Sequence, residues 1–162
     1  MPRVEHLVIA KIEELYRTRR PEFCRAAAAI AGDRNLGEDA VQEAFAKALR
    51  KRRSFRGRGT LEAWVWRIVV NTARDARRRA ALPHLRQFGA AHGAGGSNGD
   101  VATLPLELLT DRQREVLFLH YYADLGYATI AEALGISPGT VGATLSSARL
   151  TLRRALTQEV FK

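Results

Sequence analysis

The chain has 162 residues, a formal net charge of +9, one cysteine and 46% hydrophobic residues, enough for one domain or two small helical ones. Its charge points to an anionic partner, and the lone Cys24 excludes an internal disulfide. No apolar run approaches the ~18–20 residues that span a bilayer, and Glu5, Lys11 and Glu13 interrupt the N-terminal apolar patch too closely for a signal peptide, so a cytoplasmic location is expected.

The charge is unevenly spread. Residues 1–80 hold 19 Lys/Arg against 10 Asp/Glu, whereas residues 105–162 hold 6 of each. In chain order, Leu7 to Tyr16 reads as an amphipathic helix that buries Leu7, Ala10, Ile12 and Leu15. Pro21 suits the first turn of a second helix, which Gly32 can end. Asp33-Arg34-Asn35 reads as a connector. A third helix from Gly37 to Arg52 places Val41, Ala44, Phe45 and Ala48 inward, with Arg52 packing through its stem. Glu38 and Asp39 would meet its positive end and Arg50 to Arg53 its negative end. Asp39, Gln42, Glu43 and Ala46 occupy its outer side.

The stretch from Ser54 to Arg79 holds both tryptophans. Phe55-Arg56-Gly57-Arg58-Gly59 is a loop that joins an aromatic ring to cationic side chains, the combination that holds unpaired bases. From Thr60 the period is helical. Leu61, Trp64, Val65, Ile68 and Thr72 form one apolar stripe, which predicts Trp64 as a core residue. Arg67, Asn71, Arg74 and Arg78 share a second face, with guanidinium forks for phosphates and an amide for a base edge.

Residues 81–104 contain Pro83, Gly93, Gly95, Gly96 and Gly99, and read as a flexible linker spanning about 25–30 Å. Beyond it, Thr110-Asp111-Arg112-Gln113 opens a helix with a capping box, and that helix buries some of Val116, Leu117, Leu119 and Tyr121. Tyr127 to Leu134 is a short helix closed by Gly135. Ser137 and Pro138 then start a long last helix with a buried stripe of Val141, Leu145, Ala148 and Leu152. This is the helix-turn-helix layout, which lays its second helix in the major groove of duplex DNA.

Four segments carry a family resemblance. The run from Phe55 to Asp75, F-x-G-x-x-T-L-x-x-W-x-x-R-I-x-x-N-x-x-x-D, resembles the promoter-reading segment of extracytoplasmic-function sigma factors of bacterial RNA polymerase. The string E-D-A-V-Q-E-A-F from Glu38 to Phe45 resembles their polymerase-docking helix. L-T-D-R-Q-R-E-V-L-F-L-H-Y and Y-A-T-I-A-E-A-L-G-I-S-P-G-T-V resemble their upstream promoter domain.

The resemblance implies an all-α protein of two small helical domains, 1–80 and 105–162, on a flexible linker. It implies promoter recognition with core RNA polymerase, without catalysis, cofactor, metal, membrane or small-molecule substrate. Asp39, Gln42 and Glu43 would dock on polymerase. Phe55, Arg56, Arg58, Arg67, Asn71, Arg74 and Arg78 would hold minus-ten DNA. Thr140, Ala143, Thr144, Ser146, Ser147 and Arg149 would face the upstream element. Family members usually carry basic and polar side chains there, but Gly142, Ala143, Thr144, Ser146 and Ser147 are uncharged. An anti-sigma partner is common in the family.

On the residues alone, a polymerase-independent helix-turn-helix regulator is the alternative. Enzyme chemistry finds no support: His6, His84, His92 and His120 are scattered, one cysteine makes no zinc pattern, and no phosphate-binding GxxxxGK[ST] loop occurs.

Overall fold

The computed structural model describes residues 2–82 and 104–160. Most of the expected linker lies outside them. The described chain is helical, in the order α1 (Pro2–Ala31), α2 (Arg34–Arg50), α3 (Leu61–Ala80), α4 (Asp111–Tyr121), α5 (Tyr127–Leu134) and α6 (Pro138–Val160), with short 3-10 turns at Arg52–Ser54 and Leu106–Leu108.

The first two expected helices are one. Pro21 lies inside α1, which runs on for 30 residues. Proline removes one donor and crowds the preceding turn, a cost of about 3 kcal/mol in a helix interior. Burial offsets it, because Ile12 before the proline and Phe23, Ala26, Ala27 and Ile30 after it all enter the same core. Leu7 and Ala10, expected inside, are exposed.

The expected connector is helical too. Asp33 is the N-cap of α2, its carboxylate accepting the Leu36 N–H at 2.9 Å. The negative group at the helix start is therefore Asp33. Glu38 sits a turn further on, paired with Arg34 at 3.2 Å.

α1, α2 and α3 pack as a three-helix unit around aromatic rings. Phe23 meets the Phe45 ring edge at 5.0 Å and stacks on Trp66 at 4.1 Å. Trp66 is fully buried, whereas Trp64, expected in the core, is half-buried. The residues from Ala63 to Val70 are apolar except for Arg67, so the sequence permits two rotations of the helix. Trp66, Val69, Val70 and Ala73 turn inward, and Leu61, Trp64 and Ile68 flank them.

The C-terminal unit follows its local signals closely. Thr110 and Gln113 form both bonds of the capping box, at 3.0 and 3.2 Å. Gly135 ends α5 at φ 69°, a left-handed position that glycine adopts without steric cost. Ser137 Oγ caps α6 by accepting the Thr140 N–H at 3.1 Å. Val141, Leu145, Ala148 and Leu152 are buried, as are Val116, Leu117 and Leu119, but Tyr121 is 56% exposed.

The two units are in direct contact. α1 packs on α4 and α3 packs on α5, so the buried side chains of both join in one apolar cluster.

Candidate polymerase and nucleic-acid interfaces

Three surfaces carry the side chains singled out in the sequence. On α2, Asp39 and Gln42 are exposed. Glu43 is half-buried and paired with Lys47 at 2.7 Å and Arg79 at 3.6 Å. The Lys47 ammonium, with a smaller contribution from Arg79, holds the Glu43 carboxyl below the usual carboxylate range, although partial burial opposes them.

The second surface is α3 with the loop before it. Thr60 caps α3 by accepting the Ala63 N–H at 3.1 Å. Gly57 and Gly59 adopt φ 71° and 78° and turn the loop back toward the helix. Phe55 is half-buried with its ring 5.6 Å from that of Trp64, so the loop aromatic rests on a tryptophan. Arg56 and Arg58 are exposed on either side of Gly57.

Along α3, Arg67, Asn71 and Arg78 are exposed and Arg74 is half-buried, one face as expected. The face is engaged, however. Arg74 donates to Glu115 through Nε at 2.5 Å and Nη2 at 2.6 Å, and through Nη1 to Asn71 Oδ1 at 3.3 Å. Arg67 donates to the Glu132 carbonyl, and Arg78 lies 3.7 Å from Asp75. The Glu115 carboxylate raises the Arg74 pKa, so that guanidinium stays charged.

The third surface is the outer side of α6. Thr140, Ala143, Ser146, Ser147 and Arg149 are exposed and Thr144 is half-buried. A Cβ on Gly142 would lie 3.4 Å from the Tyr127 ring, an ordinary contact distance, so α5 and α6 meet here without needing the glycine. Arg149 donates to the Tyr121 hydroxyl at 2.9 and 2.6 Å, and Ser147 accepts from Gln113 at 3.0 Å.

Two sequence models match, in chain order. Sigma-70 region 2 covers residues 15–82 and Sigma-70 region 4 covers residues 106–152. The chain is 30% identical over 160 residues to the RNA polymerase sigma factor YlaC of Bacillus subtilis, spanning 91% of this chain and 92% of that protein. It is 31% identical over 136 residues to the ECF RNA polymerase sigma-E factor of Haemophilus influenzae, spanning 72% of each. The chain belongs to the extracytoplasmic-function sigma factors. Its fold is similar to that of the sigma factor RpoE in complex with the anti-sigma factor NepR from Bartonella quintana, with a TM-score of 0.67 at 22% identity over 91% of this chain and 97% of that one.

In this sigma factor, the region 2 match begins within α1 and takes in α2 and α3, and the region 4 match takes in α4, α5 and α6 as far as residue 152. One surface escaped the sequence reading. An apolar groove of about 710 Å3 runs between α4 and α6, lined by Leu106, Leu117, Phe118, Tyr122, Leu152 and Leu156. The signal was present in the surplus of apolar positions on α4, but helical period alone does not separate a groove wall from a core.

Proposed function

We propose that this protein is an alternative sigma factor that joins core RNA polymerase and directs it to promoters, acting by placement with no catalysis of its own. The observation that carries this is the pairing, in order, of a region 2 unit bearing an arginine–asparagine face with a region 4 helix-turn-helix. Neither half alone is as specific as the two together.

Asp39, Gln42 and Glu43 are assigned to polymerase docking. Phe55, Arg56 and Arg58 hold an unpaired minus-ten base at the loop, and Asn71 reads its edge. Arg67, Arg74 and Arg78 take the neighbouring phosphates. On α6, Thr140, Ala143, Thr144, Ser146, Ser147 and Arg149 meet upstream duplex, where small side chains suit readout of thymine methyl groups and groove shape. The work belongs in the cytoplasm, and a protein of the anti-sigma class is included among the partners.

Run-off transcription with purified core enzyme tests the proposal. Promoter-dependent transcripts that appear only when the chain is added are the expected result. A stand-alone regulator would instead give no such transcripts, bind duplex by itself and leave its size-exclusion mass unchanged when core enzyme is added.

A further inference from the structure

A polar cavity of about 340 Å3 lies between the end of α1, α3 and the start of α4. That volume is in the range of pockets that hold small ligands. Among the described residues its walls carry five guanidinium groups, Arg74, Arg77 and Arg78 from α3 and Arg112 and Arg114 from α4. Two carboxylates face them, those of Asp111 and Glu115.

Both carboxylates are committed. Asp111 Oδ1 accepts from Arg77 Nη1 at 2.9 Å and from Arg114 Nη2 at 2.6 Å. Glu115 takes Arg74 through both of its oxygens, at 2.5 and 2.6 Å. These pairs hold the arginines in place but leave the lining with a surplus of three positive charges. The Arg78 side chain is 78% exposed, and Asp75, outside the lining, stands 3.7 Å from it. α4 begins at Asp111, so the positive end of that helix adds to the same field.

Two donors here are unsatisfied. Arg112 Nη1 and Arg114 Nε are buried and find no hydrogen-bond partner among the described residues. Glu115 Oε2 lies 3.9 Å from Arg112 Nη1, beyond hydrogen-bond reach. A buried donor without an acceptor is costly, more so when charged, and a ligand oxygen removes that cost. An anion answers both the surplus and the unsatisfied donors. Guanidinium forks match phosphate oxygens in geometry as well as charge. A single phosphate group carries about two charges, short of the surplus, and a diphosphate comes nearer to it.

We propose that this cavity binds a diphosphate group, with Arg78, Arg112 and Arg114 as its donors and Arg74 and Arg77 as fixed positive charges around it. Free pyrophosphate and a nucleoside diphosphate share this chemistry. The site goes beyond promoter recognition and stands whether or not α3 reads minus-ten DNA, because Arg112 and Arg114 lie outside that face.

Isothermal titration calorimetry on the full chain tests it with sodium pyrophosphate, ADP and orthophosphate. Salt at about 0.15 M screens the general attraction of a chain with net charge +9. One saturable site per chain is expected for pyrophosphate and ADP, with orthophosphate weaker by about tenfold or more, as when a charged hydrogen bond is lost. Arg112→Ala/Arg114→Ala should weaken pyrophosphate binding by roughly tenfold. Arg153→Ala/Arg154→Ala removes two exposed arginines outside the cavity and should leave the affinity unchanged. Arg114 also ties Asp111, so should the first pair melt the fold by circular dichroism, Arg112→Gln alone carries the test, with a loss of about fivefold.

Pyrophosphate binding at least as tight as ADP assigns the free anion, and tighter ADP assigns a nucleoside diphosphate. The proposal is overturned if neither binds saturably, or if orthophosphate binds as tightly as pyrophosphate. It is equally overturned if the change at Arg112 and Arg114 binds no worse than the control pair.

Discussion

Gly37 on α2 and Ala28 on α1 meet backbone to backbone: a Cβ on Gly37 would lie 2.4 Å from the Ala28 Cα and N. The crossing brings α2 onto α1 with no room for a methyl group. Gly37→Ala should therefore destabilise, although alanine favours a helix interior by about 1 kcal/mol. Overpacking costs about 1–3 kcal/mol, and here the obstacle is backbone, which cannot rotate away. A fall of several degrees in the melting midpoint is expected, at about 2–4 °C per kcal/mol. Gly139→Ala, where the nearest atom is Ser137 Oγ at 3.8 Å, should melt slightly higher.

The two tryptophans should separate by stability. Trp66 is fully buried against Phe23, so Trp66→Ala should cost about 3–5 kcal/mol. Its Nε1 is buried without a partner, so Trp66→Phe removes an unsatisfied donor and should cost much less. Trp64→Ala should cost less than Trp66→Ala and loosen the Phe55 loop. Chemical denaturation of the three variants decides it, and equal losses at both tryptophans would contradict the burial.

Docking can be tested on side chains that support little else. Asp39 and Gln42 are exposed, so Asp39→Ala/Gln42→Ala should shift stability by under about 0.5 kcal/mol. Core polymerase affinity should fall with it. Surface plasmon resonance against immobilised core enzyme measures this, and full affinity would remove α2 from the interface.

Glu43 gives a pH signature on the same helix. Its folded carboxyl is held low by Lys47 first and Arg79 second, so the pair stabilises fully above the unfolded carboxyl value of about 4.3. That contribution is lost as the pH falls through the lower folded value. With the Glu43 side chain 40% exposed and open to solvent screening, it should amount to under about 1 kcal/mol. Carbon-detected NMR titration should show the Glu43 pKa rising in Lys47→Met.

Base reading should localise to Asn71. Asn71→Ala is expected to reduce discrimination at one minus-ten position, a loss of about 1–3 kcal/mol. Phe55→Ala should weaken capture by about 1–3 kcal/mol through lost stacking. Promoter libraries read by transcript sequencing would expose the first effect. An even loss across all positions would reassign Asn71 to the backbone.

What the sequence made legible was chemistry that acts over one or two turns. Thr110 with Gln113, Gly135, and Ser137 with Pro138 each mark a helix end through bonds to near neighbours, and all five hold those positions. Pro21 misleads because its local cost is outweighed by burial on both sides of it. The choice between Trp64 and Trp66 depends on which side of α3 meets α1 and α2, and an almost continuous apolar run does not encode it. The α3 face was legible as a row of side chains. Its occupation was not, because Arg74 and Glu115 are separated by 41 positions along the chain.

Gly57 and Gly59 give the loop before α3 a further property. Its path includes two left-handed backbone positions, at φ 71° and 78°, and is held at its ends by the Phe55 ring on Trp64 and the Glu132 carboxylate on the Thr60 N–H. Arg56 and Arg58 are exposed on this frame, so exchanging either side chain should leave the fold of the loop and the core beneath it unchanged.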